Sequence, residues 1–291
     1  MCAAIKEALM ACKTLLSVVT EQGPDGPGLA ALDTAIALAR REDAHLDVLV
    51  LGIDQTQYGY FSAGAGVAMV QETLAQAMAA AEELEAKVRQ RLAAEEIRWA
   101  VDRAVAQLGG VPPLVAHRAR FSDLVVQSRP YGPGRSATDE AVVEAAMFDG
   151  QAPVLVMPDG MIDPPAFDRV VIAWNQSPEA MAAIRRALPL LQRASMVDIT
   201  IIDPPAHGPE RSDPGGMLSQ WLSRHEVRAE VSVLARTLPR VSDVLARHIR
   251  DRDADLLVMG AYGHSRFREA ILGGATRDML ENTDIPVLLA R

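Results

Sequence analysis

The chain has 291 residues, a formal net charge of −9 at pH 7 and an apolar content of 49%. This length suffices for two domains of ordinary size, and the acidic balance argues against a general nucleic-acid-binding surface. Only 4% of the residues are aromatic, so the cores must consist mainly of Ala, Val and Leu, which suits α/β layers.

Cysteine use and hydropathy predict a protein of the reducing cytoplasm. The two cysteines, Cys2 and Cys12, both lie near the N-terminus and cannot form a disulfide framework. The first residues include Lys6 and Glu7 and lack a long apolar segment, which predicts that there is no signal peptide. No run of about 18 apolar residues occurs, so we expect no membrane span.

Hydrophobic spacing in the first half predicts strands that alternate with helices, after a helical or disordered leader at residues 1–12. The predicted strands are Lys13–Thr20, His45–Asp54, Ile97–Gln107, Asp123–Gln127 and Pro153–Met157. The predicted helices are Leu29–Arg41, Val67–Ala94, Val111–Arg120 and Asp139–Phe148. This alternation is typical of a parallel sheet with helices on its faces.

The second half shows the same alternation after a Gly- and Pro-rich linker, Gly160–Ala166. The predicted strands are Arg169–Trp174, Met196–Ile202, Val227–Leu234, Leu256–Met259 and Ile285–Ala290. A helix ending near Leu191 opens with Ser177 as N-cap and Pro178 as its first residue. Further helices are predicted at Met217–His225, at Val241–Arg250 and after Gly274.

The two halves repeat one another. The segment that begins at Asp123, DLVVQ, corresponds to DLLVM at Asp255, and the PVLV segment at Pro153 corresponds to PVLL at Pro286. The spacing between the two segments is nearly equal in both halves, which two copies of one five-strand unit explain better than chance. We therefore predict two domains, residues 1–160 and residues 167–291.

A glycine-rich stretch follows the strand that begins at Leu256. Gly260 and Gly263 form a turn, and the pair Gly273-Gly274 precedes a helix. Glycines let the backbone approach a ligand without a Cβ in the way, and the free amides at a helix start attract anions. Ligands of open parallel sheets bind at the carboxyl ends of the strands. The stretch therefore predicts a phosphate site.

The spacing Gly260-x2-Gly263-x9-Gly273 resembles the nucleotide loop of the universal stress protein family, G-x2-G-x9-G followed by Ser or Thr. In that family the loop holds the ribose and phosphates of ATP. This sequence departs from the pattern at Gly274, which stands in place of the hydroxyl residue. That change removes one side-chain hydrogen bond to phosphate, worth roughly 1.5–3 kcal/mol, but leaves the backbone donors in place.

The resemblance covers the second half from strand to strand and the first half only in layout. It implies nucleotide contacts from Ala173, Asn175, Asp203, Gly260, Gly263, His264, Gly273, Gly274, Ala275 and Thr276. Asn175 stands where the family carries an Asp, and it is interpreted equally well as a turn residue. Asp203 could simply end its strand, and His264 could face solvent instead of phosphate.

The first half lacks the glycine loop. Its fourth predicted strand is followed by the segment SRPYGPG, residues 128–134, in which prolines remove backbone donors. We interpret Gly132-Pro133-Gly134 as a structural turn and expect no ATP site of the family type here. Binding of a different anion in this half stays an open alternative.

Other chemistry finds little support in the sequence. Residues 263–267, GHSRF, resemble half of a nucleophile elbow but lack its final glycine. The six histidines show no metal-binding spacing, so we expect no metal site. No residue set supports a catalytic cycle, which favours a binding protein over an enzyme.

The resemblance implies two tandem α/β domains with the Rossmann-like (adenine nucleotide alpha hydrolase-like) fold, each with five mainly parallel strands. It implies that Pro153–Met157 and Ile285–Ala290 pair antiparallel within one chain. Whether two chains also form a homodimer is left as an open alternative. The implied function is cytoplasmic stress response with ATP or another adenine nucleotide, with or without Mg²⁺, in the second domain only. Two alternatives are a nucleotide-free scaffold, in which Gly274 marks a lost site, and a slow ATPase.

Overall fold

The structure is a computed structural model that describes residues 12–21, 29–54, 65–204, 212–261 and 274–291. The predicted leader lies outside this part of the chain, apart from Cys12. Each predicted strand and helix is confirmed, and no end is shifted by more than two residues. The chain divides into two compact units, an N-terminal unit of Ala11–Ala152 with Asp159–Asp163, and a C-terminal unit of Pro153–Pro158 with Pro164–Arg291.

Four parallel strands form the sheet of the N-terminal unit, in the order β3-β2-β1-β4. The strands are β1 Thr14–Thr20, β2 His45–Ile53, β3 Arg98–Ala106 and β4 Leu124–Ser128. The helices are α1 Leu29–Glu42, α2 Ala65–Ala93, α3 Val111–Ala119 and α4 Ala137–Phe148, and Leu108–Gly110 forms a 3-10 turn. Strand side chains such as Leu15 and Val19 are fully buried, as expected for a parallel sheet.

The C-terminal unit contains a sheet in the order β8-β7-β6-β9-β10-β5. Its strands are β5 Val154–Met157, β6 Arg169–Ala173, β7 Met196–Ile202, β8 Ala229–Leu234, β9 Leu256–Gly260 and β10 Val287–Ala290. Its helices are α5 Pro178–Leu191, α6 Gly216–Arg224, α7 Val241–Asp251 and α8 Ala275–Asn282. The chain therefore has the predicted α/β fold class.

Strand β5 pairs antiparallel with β10, with Leu155 opposite Leu288, whereas the other pairs of this sheet are parallel. The predicted antiparallel pairing of these two strands is confirmed. Strand β5 groups with the C-terminal unit, although we placed it in the first domain on sequence. The division into domains at residues 1–160 and 167–291 stays a prediction.

The start of α5 follows directly from its sequence. The Ser177 hydroxyl accepts a hydrogen bond from the Ala180 amide at 3.1 Å, and Pro178 occupies the first helical position. Both features satisfy or remove amides that lack partners at a helix start. The predicted N-cap is therefore confirmed, and it fixes where the chain leaves β6.

An aspartate performs the same task in both units. The Asp123 carboxylate accepts hydrogen bonds from the Lys13 and Thr14 amides at 2.8 and 3.0 Å, where β1 begins. The Asp255 carboxylate accepts hydrogen bonds from the Asp168 and Arg169 amides, both at 2.9 Å, where β6 begins. The repeat noted in the sequence thus has a structural reason, because each aspartate ties the start of its fourth parallel strand to the first.

We expect the Asp255→Ala variant to lose about 1.5 kcal/mol of unfolding free energy, because two amides lose a charged hydrogen-bond partner at a solvent-exposed site. Urea denaturation followed by circular dichroism measures this change. Asp123→Ala is the matched variant in the other unit and should produce a loss of similar size. A loss below about 0.5 kcal/mol, the range of ordinary surface substitutions, would contradict the proposed role.

A buried carboxylate lies in the middle of β7. Asp198 is fully buried and accepts hydrogen bonds from the Thr200 and Ser232 hydroxyls, both at 2.7 Å. Its oxygens also lie 3.0 Å from Arg252 Nε and 3.2 Å from His248 Nε2. His248 lies on α7 and Arg252 directly follows it, so Asp198 attaches this helix to β7 and β8.

Candidate functional site

The strand order of the C-terminal unit creates a crevice between β6 and β9. From β6 the chain continues through α5 to β7 on one side, and from β9 it continues to β10 on the other side. The direction of winding therefore reverses between these two neighbouring strands. In open α/β sheets such a switch point, at the carboxyl ends of the strands, is where ligands bind.

The end of β6 lies at this crevice. Ala173 is half-buried and Asn175 is exposed. The Asn175 side-chain oxygen accepts a hydrogen bond from the Ser177 amide at 3.1 Å, so it shapes the turn into α5. Its NH₂ group is the part of the side chain that this turn leaves for a ligand.

The end of β7 carries Asp203, which is exposed and has a positive φ of 50°. Its amide donates a hydrogen bond to the Leu234 carbonyl of β8 at 2.9 Å. Asp tolerates this backbone conformation better than most residues. Asp203 therefore ends β7 and lies at the same edge of the sheet as Asn175.

Gly260, the last residue of β9, is a glycine because another backbone lies very close to it. A Cβ at this position would lie 2.3 Å from the Ala180 amide nitrogen and 2.6 Å from the Glu179 carbonyl carbon. These atoms belong to the first turn of α5, so a side chain would force the helix away from the strand. The next residue, Ala261, is fully buried and its amide donates to the Ala290 carbonyl at 3.1 Å.

Gly263, His264 and Gly273, three of the predicted contact residues, lie outside the described residues. Gly274 is the N-cap of α8, with φ −65° and ψ 146°. Ala275 and Thr276 are the first two helical residues, and Thr276 is buried. Because Gly274 has no side chain, this N-cap makes no side-chain hydrogen bond to the amides of the first turn. Because the first amides of a helix have no partner within it, they suit an anion.

The corresponding helix of the N-terminal unit, α4, begins in a different way. The Ser136 hydroxyl accepts a hydrogen bond from the Asp139 amide, and the Asp139 carboxylate accepts one from the Ser136 amide at 2.7 Å. This capping box occupies amides that a phosphate would need and adds a negative charge. Gly132 and Gly134 have positive φ values of 114° and 76°, which agrees with the predicted structural turn.

A polar contact between α7 and α8 was not predicted from the sequence. The Ser242 hydroxyl donates to the Asp278 carboxylate at 2.9 Å, and the Arg240 guanidinium lies 3.7 Å from the same carboxylate. Ser242 and Asp278 are far apart in the sequence, and neither belongs to the glycine stretch. No local pattern could have revealed this contact, because it depends on how the two helices pack.

Within the described ranges, no group of three or more His, Cys, Asp or Glu side chains is arranged to hold a metal ion. In the same part of the chain, no helix is long and apolar enough to cross a membrane.

These features define the C-terminal unit as a doubly wound α/β domain with an uncapped helix start near its switch point. Residues 166–291 match the model of the universal stress protein family. Over 132 residues the chain is 30% identical to Universal stress protein Slr1230 of Synechocystis sp. (strain ATCC 27184 / PCC 6803 / Kazusa), a match that covers 42% of each protein. Residues 166–291 are therefore similar to the universal stress protein family.

Solved structures of this family share the fold over nearly the whole chain. A universal stress protein from Archaeoglobus fulgidus DSM 4304 has a TM-score of 0.67 at 14% identity and covers 97% of both chains. A putative universal stress protein from Pseudomonas aeruginosa UCBPP-PA14 has a TM-score of 0.55 at 15% identity, covering 98% of this chain and 94% of that chain. At such identities these likenesses show the fold alone.

Proposed function

We propose that this protein is a cytoplasmic stress-response protein that binds ATP or a related adenine nucleotide in its C-terminal unit. The observation that carries the proposal is the start of α8, where a glycine N-cap leaves the amides of Ala275 and Thr276 without a side-chain cap. This helix start follows the glycine stretch that resembles the family's nucleotide motif except at Gly274, next to the switch point of the sheet.

The nucleotide would lie across the carboxyl ends of β6, β7 and β9. Its phosphates would meet the amides of Ala275 and Thr276, and its adenosine would lie toward Ala173, Asn175 and Asp203. Gly263, His264 and Gly273, predicted from the glycine loop, complete the set. The corresponding helix of the N-terminal unit, α4, differs because the capping box of Ser136 and Asp139 already satisfies the amides of these two residues.

The nucleotide-free scaffold is the second candidate, and the glycine at position 274 favours it. Without a hydroxyl there, a phosphate would have to be held by backbone amides and by residues outside the pattern. Calorimetric titration of the full chain with ATP separates the two proposals. Heat that saturates below millimolar ATP supports binding, whereas no heat at millimolar ATP supports the scaffold.

A proline at position 275 tests the role of the helix start. Ala275 is the first helical residue and follows a residue with extended backbone, so proline fits there while removing one amide donor. We expect Ala275→Pro to weaken ATP binding about 10- to 100-fold, which corresponds to roughly 1.5–3 kcal/mol for one hydrogen bond to a charged group. Titration calorimetry measures the affinity, and circular dichroism checks that helix content is retained.

The N-terminal unit offers a matched control. Ala137 is the first residue of α4 and also follows a residue with extended backbone, Ser136. Ala137→Pro should leave the ATP affinity unchanged within about two-fold, because this helix start is already capped. Equal losses in both variants would show a general effect of proline on the fold and would contradict the proposed phosphate site.

A further inference from the structure

An acidic side chain lies in the first turn of the helix that would hold the phosphates. Asp278 is the fourth residue of α8, and its side chain is only 15% exposed. It is held in place by the Ser242 hydroxyl, which donates to its Oδ2 atom at 2.9 Å. Since the Cα–Cβ bonds of a helix tilt toward its N-terminus, this carboxylate lies within about one turn of the free amides. A bound phosphate would therefore be repelled by Asp278 unless a cation offsets its charge.

Arg240 supplies that cation. It is the N-cap residue of α7 and follows β8, so it lies at the same carboxyl edge of the sheet as the crevice. Its Nη1 atom lies 3.7 Å from Asp278 Oδ2, and its Nε atom lies 3.4 Å from Asp243 Oδ2. The guanidinium thus offsets part of the negative charge of Asp243 and Asp278.

The guanidinium is held loosely. The side chain of Arg240 is 62% exposed, and 3.7 Å is longer than a hydrogen bond between nitrogen and oxygen. Its Nη1 atom can therefore turn from Asp278 toward a ligand without losing a hydrogen bond, and the hydrogen bond that Nε donates to Asp243 is long, at 3.4 Å. A planar guanidinium also matches the oxygens of a phosphate, to which it can donate two parallel hydrogen bonds.

We propose that Arg240 determines the ligand class of this site, because it admits adenosine phosphates beside Asp278 and makes them bind more tightly than adenosine. This proposal rests on the proposed nucleotide site, but it concerns a residue outside the glycine loop and the strand ends. Arg240 would contribute little to the binding of the adenosine moiety. Without Arg240, the phosphates would lose a hydrogen-bond partner, and the charge of Asp278 would no longer be offset.

The test compares ATP with adenosine by titration calorimetry on the full chain. We expect the unsubstituted protein to bind ATP more tightly than adenosine. Arg240→Gln should weaken ATP binding about ten-fold or more, as for the loss of one charged contact, while adenosine affinity changes less than two-fold. The ATP affinity of the variant should also depend less on salt, because one charge pair with the ligand is gone.

Arg236→Gln is the matched control, since Arg236 lies in the same segment before α7 and donates to the Pro239 carbonyl. It should leave both affinities unchanged. An unchanged ratio of ATP to adenosine affinity in Arg240→Gln would overturn the role of Arg240 while leaving the nucleotide site intact. If the unsubstituted protein binds neither compound, the proposed function itself fails and the role of Arg240 fails with it.

Discussion

Replacing Asp198 with alanine should lower the unfolding free energy by about 3–5 kcal/mol, the usual loss when one partner of a buried ion pair is removed. The fully buried carboxylate has four partners, and the substitution leaves Arg252, His248 and two hydroxyls facing an empty space. We expect a value near the lower limit, because the Arg252 side chain is one-third exposed and can turn to solvent. This change would exceed that of an ordinary surface substitution several-fold.

Urea denaturation of the full chain, followed by circular dichroism, measures the effect. Asp198→Asn keeps the size of the side chain and one acceptor oxygen. Its unfolding free energy should therefore lie between those of Asp198→Ala and the unsubstituted protein. Asp251→Ala removes an exposed carboxylate from the last turn of α7 and should change the free energy by no more than about 0.5 kcal/mol. If Asp198→Ala behaved like Asp251→Ala, the buried cluster would not be what fixes α7.

The position of α7 matters for the candidate site. Its C-terminal part is attached to β7 and β8 through Asp198, and its N-terminal turn is attached to α8 through the contact of Ser242 with Asp278. The helix therefore connects the middle of the sheet to the helix start that would hold phosphate. For this reason we expect Asp198→Asn, if it remains folded, to weaken ATP binding more than Asp251→Ala does.

Local patterns were sufficient to predict most of the fold. The buried strands are short apolar runs, and Ser177 with Pro178 gives an N-cap that needs no distant partner. The repeat was visible because Asp123 and Asp255 each perform the same task next to a strand of the same type. The antiparallel pairing of β5 with β10 came from the family resemblance, since no local pattern specifies which distant strands pair.

The polar interior could not be predicted from the same patterns. In β7, Asp198 and Thr200 alternate with Val197, Ile199 and Ile201, an alternation that usually indicates one face in solvent. Both polar residues are nevertheless buried, because α7 covers them and brings a histidine and an arginine from some fifty residues further along the chain. The partners that make this burial tolerable are not adjacent in sequence.

The candidate site was predictable only in part, and for a similar reason. Ala173, Asn175, Asp203 and Gly274 to Thr276 lie at strand ends or at a helix start, which the sequence could place at one edge of a parallel sheet. Arg240 and Asp278 come together through the packing of α7 with α8, which no motif encodes. The contact of these residues with a nucleotide stays a prediction.

Gly260→Ala should lower the unfolding free energy by about 1–3 kcal/mol, the usual effect of forcing an extra carbon into a closely packed region. The added Cβ would lie 2.3 Å from the Ala180 amide nitrogen, and the atoms it meets are backbone atoms that cannot rotate away. The end of β9 and the first turn of α5 must therefore separate. Denaturation in urea measures the loss in the absence of any nucleotide.

Gly109→Ala is the control, because a Cβ at that exposed position meets no atom within 4 Å. There the unfolding free energy should stay constant or rise by up to about 1 kcal/mol, since alanine restricts the unfolded chain.

The comparison also separates two roles of Gly260. A glycine that served only a ligand could be replaced without loss of stability in the free protein, and its replacement would affect ATP affinity alone. A loss of stability without nucleotide would show that Gly260 is required for β9 to approach α5, so that any loss of ATP affinity in this variant follows from the displaced strand end.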